Sequence, residues 1–277
     1  MSVACHKMHG LGNDFIVIDA RPQSGNPPVA MSAARAAALA ERRTGIGCDQ
    51  LIVLEPSSTA DVRMRIFNAD GSEVEACGNA SRAVGVLLGG EQRIETLGGT
   101  IASSATGHSA SVNMGPARFG WDEIPLAYAM DTLSMPVGWE ELDNPAAVNV
   151  GNPHVVFFVP DADAVDLARL GPMIETDPLF PEKVNVGVAA VVGPNHIKLR
   201  VWERGVGLTR ACGTGACAAA VLAIRRRLVT GSASEPVRVD LPGGPLEIAW
   251  EAGGTILMSG PAAFSFAGSF NEDDYPL

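Results

Sequence analysis

Two cysteines carry the chemistry that the sequence offers. Cys77 stands in Ala76-Cys-Gly-Asn79 and Cys212 in Ala211-Cys-Gly-Thr214, 135 positions apart. The flanks keep that offset. Arg63-Met-Arg-Ile-Phe67 matches Lys198-Leu-Arg-Val-Trp202, and Val86-Leu87 matches Val221-Leu222. Each cysteine follows a strand-type run and a glycine-containing loop, and each opens an Ala- and Leu-rich helical segment. The unpaired N–H groups and dipole of a helix N-terminus favour a thiolate and lower its pKa. Gly78 and Gly213 let a ligand approach the backbone closely. Each half is therefore expected to present an activated thiol beside donors suited to an anion. Two such thiols on opposite sides of one carbon suit stereoinversion: a thiolate removes the proton, a thiol delivers one, and the reverse reaction exchanges the roles. Backbone donors around a carboxylate stabilise the developing carbanion. This logic calls for no cofactor. Gly10-Leu-Gly12 precedes a strand-type run and not a helix, so it is no dinucleotide fingerprint.

The repeat extends beyond the cysteines. Gly12-Asn13 ahead of Phe15-Ile-Val resembles Gly151-Asn152 ahead of His154-Val-Val, and Gln50 before Leu-Ile-Val matches Asn185 before Val-Gly-Val. Met114–Phe119 resembles Ser259–Phe264. Two copies of a unit of about 120 residues follow, too long a period for a solenoid. They imply two similar domains with a cleft between them, a favoured place for a ligand. Strands are expected at Phe15–Ile18, Leu51–Leu54, Met64–Phe67 and Val155–Val159. Helices are expected from the Ser32 cap to Arg43, over 76–88, and over Ala211–Leu228. Phe119–Asn144, rich in Pro, Asp and Glu, reads as the interdomain connection, and Asn271–Asp274 as a solvated tail. The copies differ where an unsymmetric substrate would require it: Asn68 matches Glu203, and Ala69 matches Arg204, which can grip a second carboxylate in bidentate fashion.

Composition sets the outer limits. The 277 residues carry a formal net charge of −11, which disfavours nucleic acid and anionic membranes as partners. No start signal and no long apolar span is visible, so a soluble cytoplasmic protein is expected. Five cysteines at irregular spacing argue against a disulfide framework. Cys5, Cys48 and Cys217 read as small buried hydrophobes. Cys212 and Cys217 lack further ligands at metal spacing, so no metal is expected.

The stretches Met8–Phe15, Phe67–Glu73 with Cys77-Gly-Asn79, Gly151–His154, Glu203-Arg-Gly205 and Ala211–Cys217 together resemble the diaminopimelate epimerase family over nearly the whole chain. The resemblance implies an α+β fold of two pseudo-symmetric domains, each a β-barrel-like sheet around a central helix, with the active site in the cleft. The halves would be 1–118, joined by a returning strand at about 262–277, and 119–261. It implies conversion of LL- to meso-2,6-diaminopimelate in lysine biosynthesis, without pyridoxal phosphate or metal. Carried over residue by residue, Cys77 and Cys212 would be the acid–base thiols. Gly78, Asn79, Gly213 and Thr214 would offer donors to the reacting carboxylate. Asn13, Gln50, Asn68, Asn152, Asn185, Glu203 and Arg204 would hold the reacting amine and the distal end, and His154 and Glu203 would tune the thiols. A homodimer is implied too, with Phe266 as a contact. The chain departs from the family pattern at Ala80-Ser81 and at Gly207-Leu208-Thr209, which puts fine substrate preference in question.

Blander readings stand beside these. The asparagines could make turns, Glu203-Arg204 could be a solvated pair, His154 could be structural, and Arg225-Arg-Arg227 suits the last turn of a helix. The rival activity is that of proline racemase or hydroxyproline epimerase, whose first motif has Met before and Gly-His after the cysteine; Ala76 and Gly78-Asn79 differ. A binding protein would not need both cysteines, and a thiol hydrolase would leave one unexplained.

Overall fold

The structure is a computed structural model and describes residues 1–75 and 77–275. Ala76, expected to begin a helix, and Pro276 and Leu277, expected at the end of the returning strand, lie outside the described residues. The chain divides into two compact units, Met1–Val112 with Gly260–Leu277, and Asn113–Ser259.

In the first unit β1 (Ser2–Gly10) and β2 (Asn13–Asp19) form a hairpin. Strand β2 runs parallel to β3 (Gln50–Glu55), with α1 (Ala33–Ala40) on the crossover. Next come antiparallel β4 (Val62–Asn68) and β5 (Glu73–Val74), then α2 (Gly78–Leu88). Strand β6 (Gly90–Thr96) returns parallel to β4, followed by antiparallel β7 (Gly99–Thr106) and β8 (Ser109–Pro116).

The second unit begins with a short hairpin, β9 (Gly138–Trp139) and β10 (Leu142–Asp143). It then repeats the first unit's order. Antiparallel β11 (Ala146–Asn149) and β12 (Pro153–Phe158) are followed by α3 (Leu167–Glu175) and parallel β13 (Asn185–Gly193). Antiparallel β14 (His196–Glu203) and β15 (Gly207–Thr209) lead to α4 (Gly213–Arg225). Strand β16 (Val237–Leu241) returns parallel to β14, with antiparallel β17 (Gly244–Ala249) and β18 (Thr255–Pro261) after it. From the first hairpin to the last, the two units share one pairing pattern, so the sequence repeat is also a repeat of topology. Strand β19 (Ala263–Asn271) belongs to the first unit and pairs with β1.

Each unit wraps strands around one helix. Helix α2 packs on β1, β2, β6 and β7; α4 packs on β11, β12, β13, β14, β16 and β17. The apolar runs read as strands are continuous because both faces are buried. Phe15 and Val17 join the core against α2, whereas Ile16 and Ile18 join the core against α1. Strand β3 splits in the same way, with Ile52 and Leu54 on one side and Leu51 and Val53 on the other. Helix α4 is buried on nearly every side, and Ala216, Ala218, Ala219, Ala220 and Ala223 are fully inaccessible. Small side chains let strands close around it on all faces.

Three local expectations change. Phe119–Asn144 is not a bare connection: Ile124, Leu126, Met135 and Leu142 are buried in the second unit's core with Leu167, Leu170 and Ile174 of α3. Helix α4 stops at Arg225 and not Leu228, because Arg226 caps it and Arg227 turns to φ 57°. Arg225 and Arg226 lie over the rings of Phe119 and Phe158. The 271–274 tail is exposed as expected except at Glu272, but it is tied down and not loose. Glu272 is buried with its carboxylate 3.8 Å from Arg35, and the N-terminal amine meets Asp273 at 2.8 Å.

Candidate active site

Both cysteines occupy the same structural position. Cys77 is the N-cap of α2 and Cys212 the N-cap of α4, each with extended backbone (φ −147°, ψ 113° and φ −119°, ψ 105°). Each sulfur accepts from the N–H three residues on: Ala80 at 3.5 Å and Gly215 at 3.3 Å. That is the role a Ser, Thr, Asp or Asn side chain plays at most helix starts. The remaining N–H groups of the first turn, among them those of the predicted donors Gly78, Asn79, Gly213 and Thr214, lie before any intrahelical acceptor. A side chain at position 215 would not fit this arrangement. A Cβ there would lie 2.9 Å from Val201 and 3.2 Å from the Cys212 sulfur.

The surroundings of the two sulfurs differ. Cys212 is buried, with Thr214 Oγ1 3.6 Å from its sulfur. Glu203, at the end of β14, is a hydrogen-bond partner of the thiol and also accepts from Thr209 Oγ1 across the β14–β15 hairpin. Burial and the Glu203 charge push the Cys212 thiol well up, against the smaller opposing pull of Thr214 and the Gly215 N–H. Burial raises Glu203 as well, with the bonds from Thr209 and Cys212 opposing it. This corrects the expectation that the helix N-terminus lowers the pKa of Cys212. A helix terminus favours an anion by about 0.3–2 kcal/mol, and full burial can cost several times that. Cys212 therefore rests as a thiol donating to the Glu203 carboxylate. Cys77 is half-buried, and the position matching Glu203 is the neutral Asn68.

The other predicted residues of the first unit form two hydrogen-bonded groups. Fully buried Arg82 donates to Asn79 Oδ1 (2.9 Å), Asn79 donates to Asn13 Oδ1 (3.3 Å), and Asn13 donates to Asp49 Oδ2 (3.1 Å). Arg42 holds Asp49 at 2.7 Å and Asp14 at 2.6 Å, and Lys7 joins Asp14 and the Gly47 carbonyl. Burial works against the Asp14 charge, but Arg42 and Lys7 hold its carboxyl well below the usual range. In the second group Gln50 Nε2 donates to Asn68 Oδ1 (3.1 Å), as their register on β3 and β4 requires, and Asn68 donates to Ser72. The buried Gln50 Oε1 has no hydrogen-bond partner among the described residues.

In the second unit the β12–β13 register pairs His154 with Asn185, as β2–β3 pairs Phe15 with Gln50. His154 is fully buried, and its Nε2 lies 2.9 Å from Asn152 Oδ1, an acceptor, so Nε2 carries the proton. Burial first and the Arg204 charge second lower its pKa to about 3, so the ring is neutral. Asn185 has both ends of its amide engaged: Nδ2 donates to the Pro153 carbonyl (2.8 Å), and Oδ1 accepts the Arg204 N–H (3.0 Å). Its place is behind Arg204. Arg204 and Asn152 line a cavity of about 310 Å³ with Asn149, Pro153 and Glu182, and the guanidinium also donates to the Glu182 carbonyl.

Several residues of these networks carried no site role in the sequence reading, among them Thr209, Asp49 and Arg82. Thr209 registered only as a departure from a family pattern, although a strand returning beside Glu203 places a hydroxyl there. Asp49 adjoins Gln50 and could have been read as the anchor of Asn13. Arg82 had no sequence signal, since an arginine in an apolar helix reads as an exposed one.

Comparison with known proteins follows the same two halves. The model of the diaminopimelate epimerase family matches residues 5–120 and 146–265. A diaminopimelate epimerase of Erythrobacter litoralis is 64% identical, covering 99% of this chain and 100% of that one. One of Rhizorhabdus wittichii is 66% identical over 96% of this chain and 94% of its own length. Among solved structures, a phenazine biosynthesis protein of the PhzF family from Bacillus anthracis has a TM-score of 0.70 at 14% identity, covering 98% of this chain and 99% of that one. A probable proline racemase from Agrobacterium radiobacter has a TM-score of 0.67 at 15% identity, covering 97% and 93%. At these identities the structures are alike in fold.

Thiol alkylation followed by peptide mapping checks the resting state of Cys212. Iodoacetamide is expected to modify Cys212 slowly near neutral pH, with the rate rising only well into the alkaline range. Glu203→Gln removes a charge that disfavours the thiolate, so the rise should move to lower pH. A Cys212 that alkylates as a thiolate at neutral pH in the unsubstituted protein would contradict this.

Proposed function

Since the chain belongs to the diaminopimelate epimerase family, we propose that Cys77 and Cys212 are the two acid–base thiols by which it converts LL-2,6-diaminopimelate to meso-2,6-diaminopimelate. It is an isomerase of lysine biosynthesis. The observation that carries the assignment of the thiols is their equivalence: each caps the central helix of one topological copy and accepts from the N–H three residues on. No cofactor enters the proposed chemistry.

The charges around the thiols set the direction of the proton. Cys212 starts protonated, hydrogen-bonded to Glu203. Cys77, with Asn68 in place of a carboxylate, serves as the thiolate base. It takes the Cα proton of the LL centre and becomes a thiol, leaving the electron pair on Cα and the attached carboxylate. Cys212 gives its proton to the opposite face and becomes the thiolate. The two sulfurs have then exchanged protonation states, so the reverse reaction uses the same groups. Helix N–H groups stabilise the carboxylate as charge flows into it, the main catalytic term open to a site without a cofactor.

The distal end of the substrate carries its own amine and carboxylate. Arg204 and Asn152, which share the cavity of the second unit, suit that carboxylate. Asn13, Gln50, Asn68 and Asn79 offer amides for the reacting end, and Asn185 acts by holding the Arg204 backbone. His154 is neutral and serves Asn152 as a donor. The protein works in the cytoplasm as a homodimer on this reading. Phe264 and Phe266 on β19, each half exposed, offer an apolar face for a second copy. Among the described residues no helix is long and apolar enough to cross a membrane, and the acidic charge disfavours nucleic acid.

Incubation with LL-diaminopimelate under reducing conditions, followed by chiral separation, is expected to yield the meso isomer. Cys77→Ser and Cys212→Ser should each lose at least about a hundredfold in kcat. Turnover of proline or hydroxyproline in place of diaminopimelate would select the rival activity. Light scattering should give twice the mass of one chain, falling to one on Phe266→Asp; an unchanged mass would remove β19 as the contact.

A further inference from the structure

Helix α3 ends on a carboxylate that the proposed chemistry does not use. Glu175 is 6% exposed. Its Oε2 accepts the indole Nε1–H of Trp202 at 2.7 Å, and its Oε1 accepts the backbone N–H of Gly205 at 3.0 Å. These two residues bracket Glu203 and Arg204. One side chain therefore fixes both ends of the turn that carries the charged pair, while Asn185 holds the Arg204 N–H between them at 3.0 Å. The helix is pressed against the same ring: a Cβ on Gly171, one turn earlier, would lie 2.5 Å from the Trp202 indole.

Lys183 Nζ stands 3.7 Å from Glu175, and burial, which works against the charge, is overcome by Trp202, Gly205 and Lys183. The carboxylate is thus kept ionised, with both oxygens committed to N–H donors. Among the described residues the first unit shows no counterpart. There the turn after Asn68 closes on itself, with the Gly71 N–H on the Asn68 carbonyl (2.9 Å) and Ser72 on Asp70. The extra anchor is present in the copy whose turn carries the Glu203–Arg204 pair, where a small shift would move a guanidinium and the carboxylate beside Cys212.

We propose that Glu175 is a positioning residue: it locks the Trp202–Gly205 turn so that Arg204 meets the distal carboxylate and Glu203 meets the Cys212 thiol. The inference rests on the reading of Arg204 and Glu203 given above. Glu175→Gln has the same shape but sets an amide NH2 against one of the two N–H donors, an unfavourable contact in a buried place.

The test measures KM and kcat for LL-diaminopimelate together with amide hydrogen exchange at Gly205. In Glu175→Gln, KM should rise about tenfold with kcat changed less than about threefold, and Gly205 exchange should quicken. Adding Arg204→Lys should cost less in the Glu175→Gln background than in the unsubstituted protein. If Glu175→Gln does not fold, Trp202→Phe, which deletes one donor to the same carboxylate, should raise KM in the same sense. An unchanged KM, or full additivity with Arg204→Lys, would overturn the positioning role. A protein without substitutions that is inert towards diaminopimelate would instead overturn the epimerase reading, and the Gly205 exchange rate would still report on the anchor.

Discussion

Everything proposed for this protein depends on one local bond made twice: a cysteine sulfur taking the place of the oxygen that normally caps a helix. The bond fixes the thiol at the end of a buried helix, aims it along the first-turn N–H groups, and ties its position to the strands around that helix. A helix so enclosed cannot shift without opening the sheet. This fits the many small residues, alanine above all, among the buried positions of α4, and the lack of room for a side chain at position 215 beside the sulfur. Packing rather than propensity therefore sets the place of the reactive atom.

Duplication supplies two such thiols, and divergence makes them unequal. A two-base inversion needs one sulfur charged and one protonated at the outset. Two identical copies would have no means of choosing which. Glu203 in place of Asn68 resolves the choice: its charge and the burial of Cys212 outweigh the helix terminus and hold the proton on that sulfur. The cost is a buried carboxylate, which Thr209 and the thiol itself offset in part. Arg204 follows directly on the same turn, so on the proposed reading a single break in the repeat sets the charge state and provides a partner for a second carboxylate.

Much of this was legible in the sequence because the repeat turns single residues into pairs. The strands at 15–18, 51–54 and 64–67 were visible as apolar runs bounded by turn residues, and the helix starts at Cys77 and Cys212 as Ala-rich segments after glycine. The protonation of Cys212 was not legible, since a helix N-terminus argues for a thiolate and only the packing shows that burial exceeds it. The 119–144 segment misled by composition: its Pro, Asp and Glu content hides four side chains that fill the core. The family resemblance implied a substrate amide at Asn185, and both ends of that amide are engaged by backbone. Glu175 and Arg82 left no local trace, because their partners are distant in sequence or lie on the inner side of a helix.

The central claim, that two separate groups handle the proton, has a direct measurement. LL-diaminopimelate is converted in deuterium oxide for a small fraction of one half-life, and the label at the reacting carbon is read in the meso product and in the recovered substrate. Two monoprotic thiols on opposite faces predict solvent deuterium throughout the product and protium retained in the recovered LL isomer. Substrate protium carried into the product, or deuterium appearing in recovered substrate as fast as in product, would mean that one group serves both faces and would contradict the account.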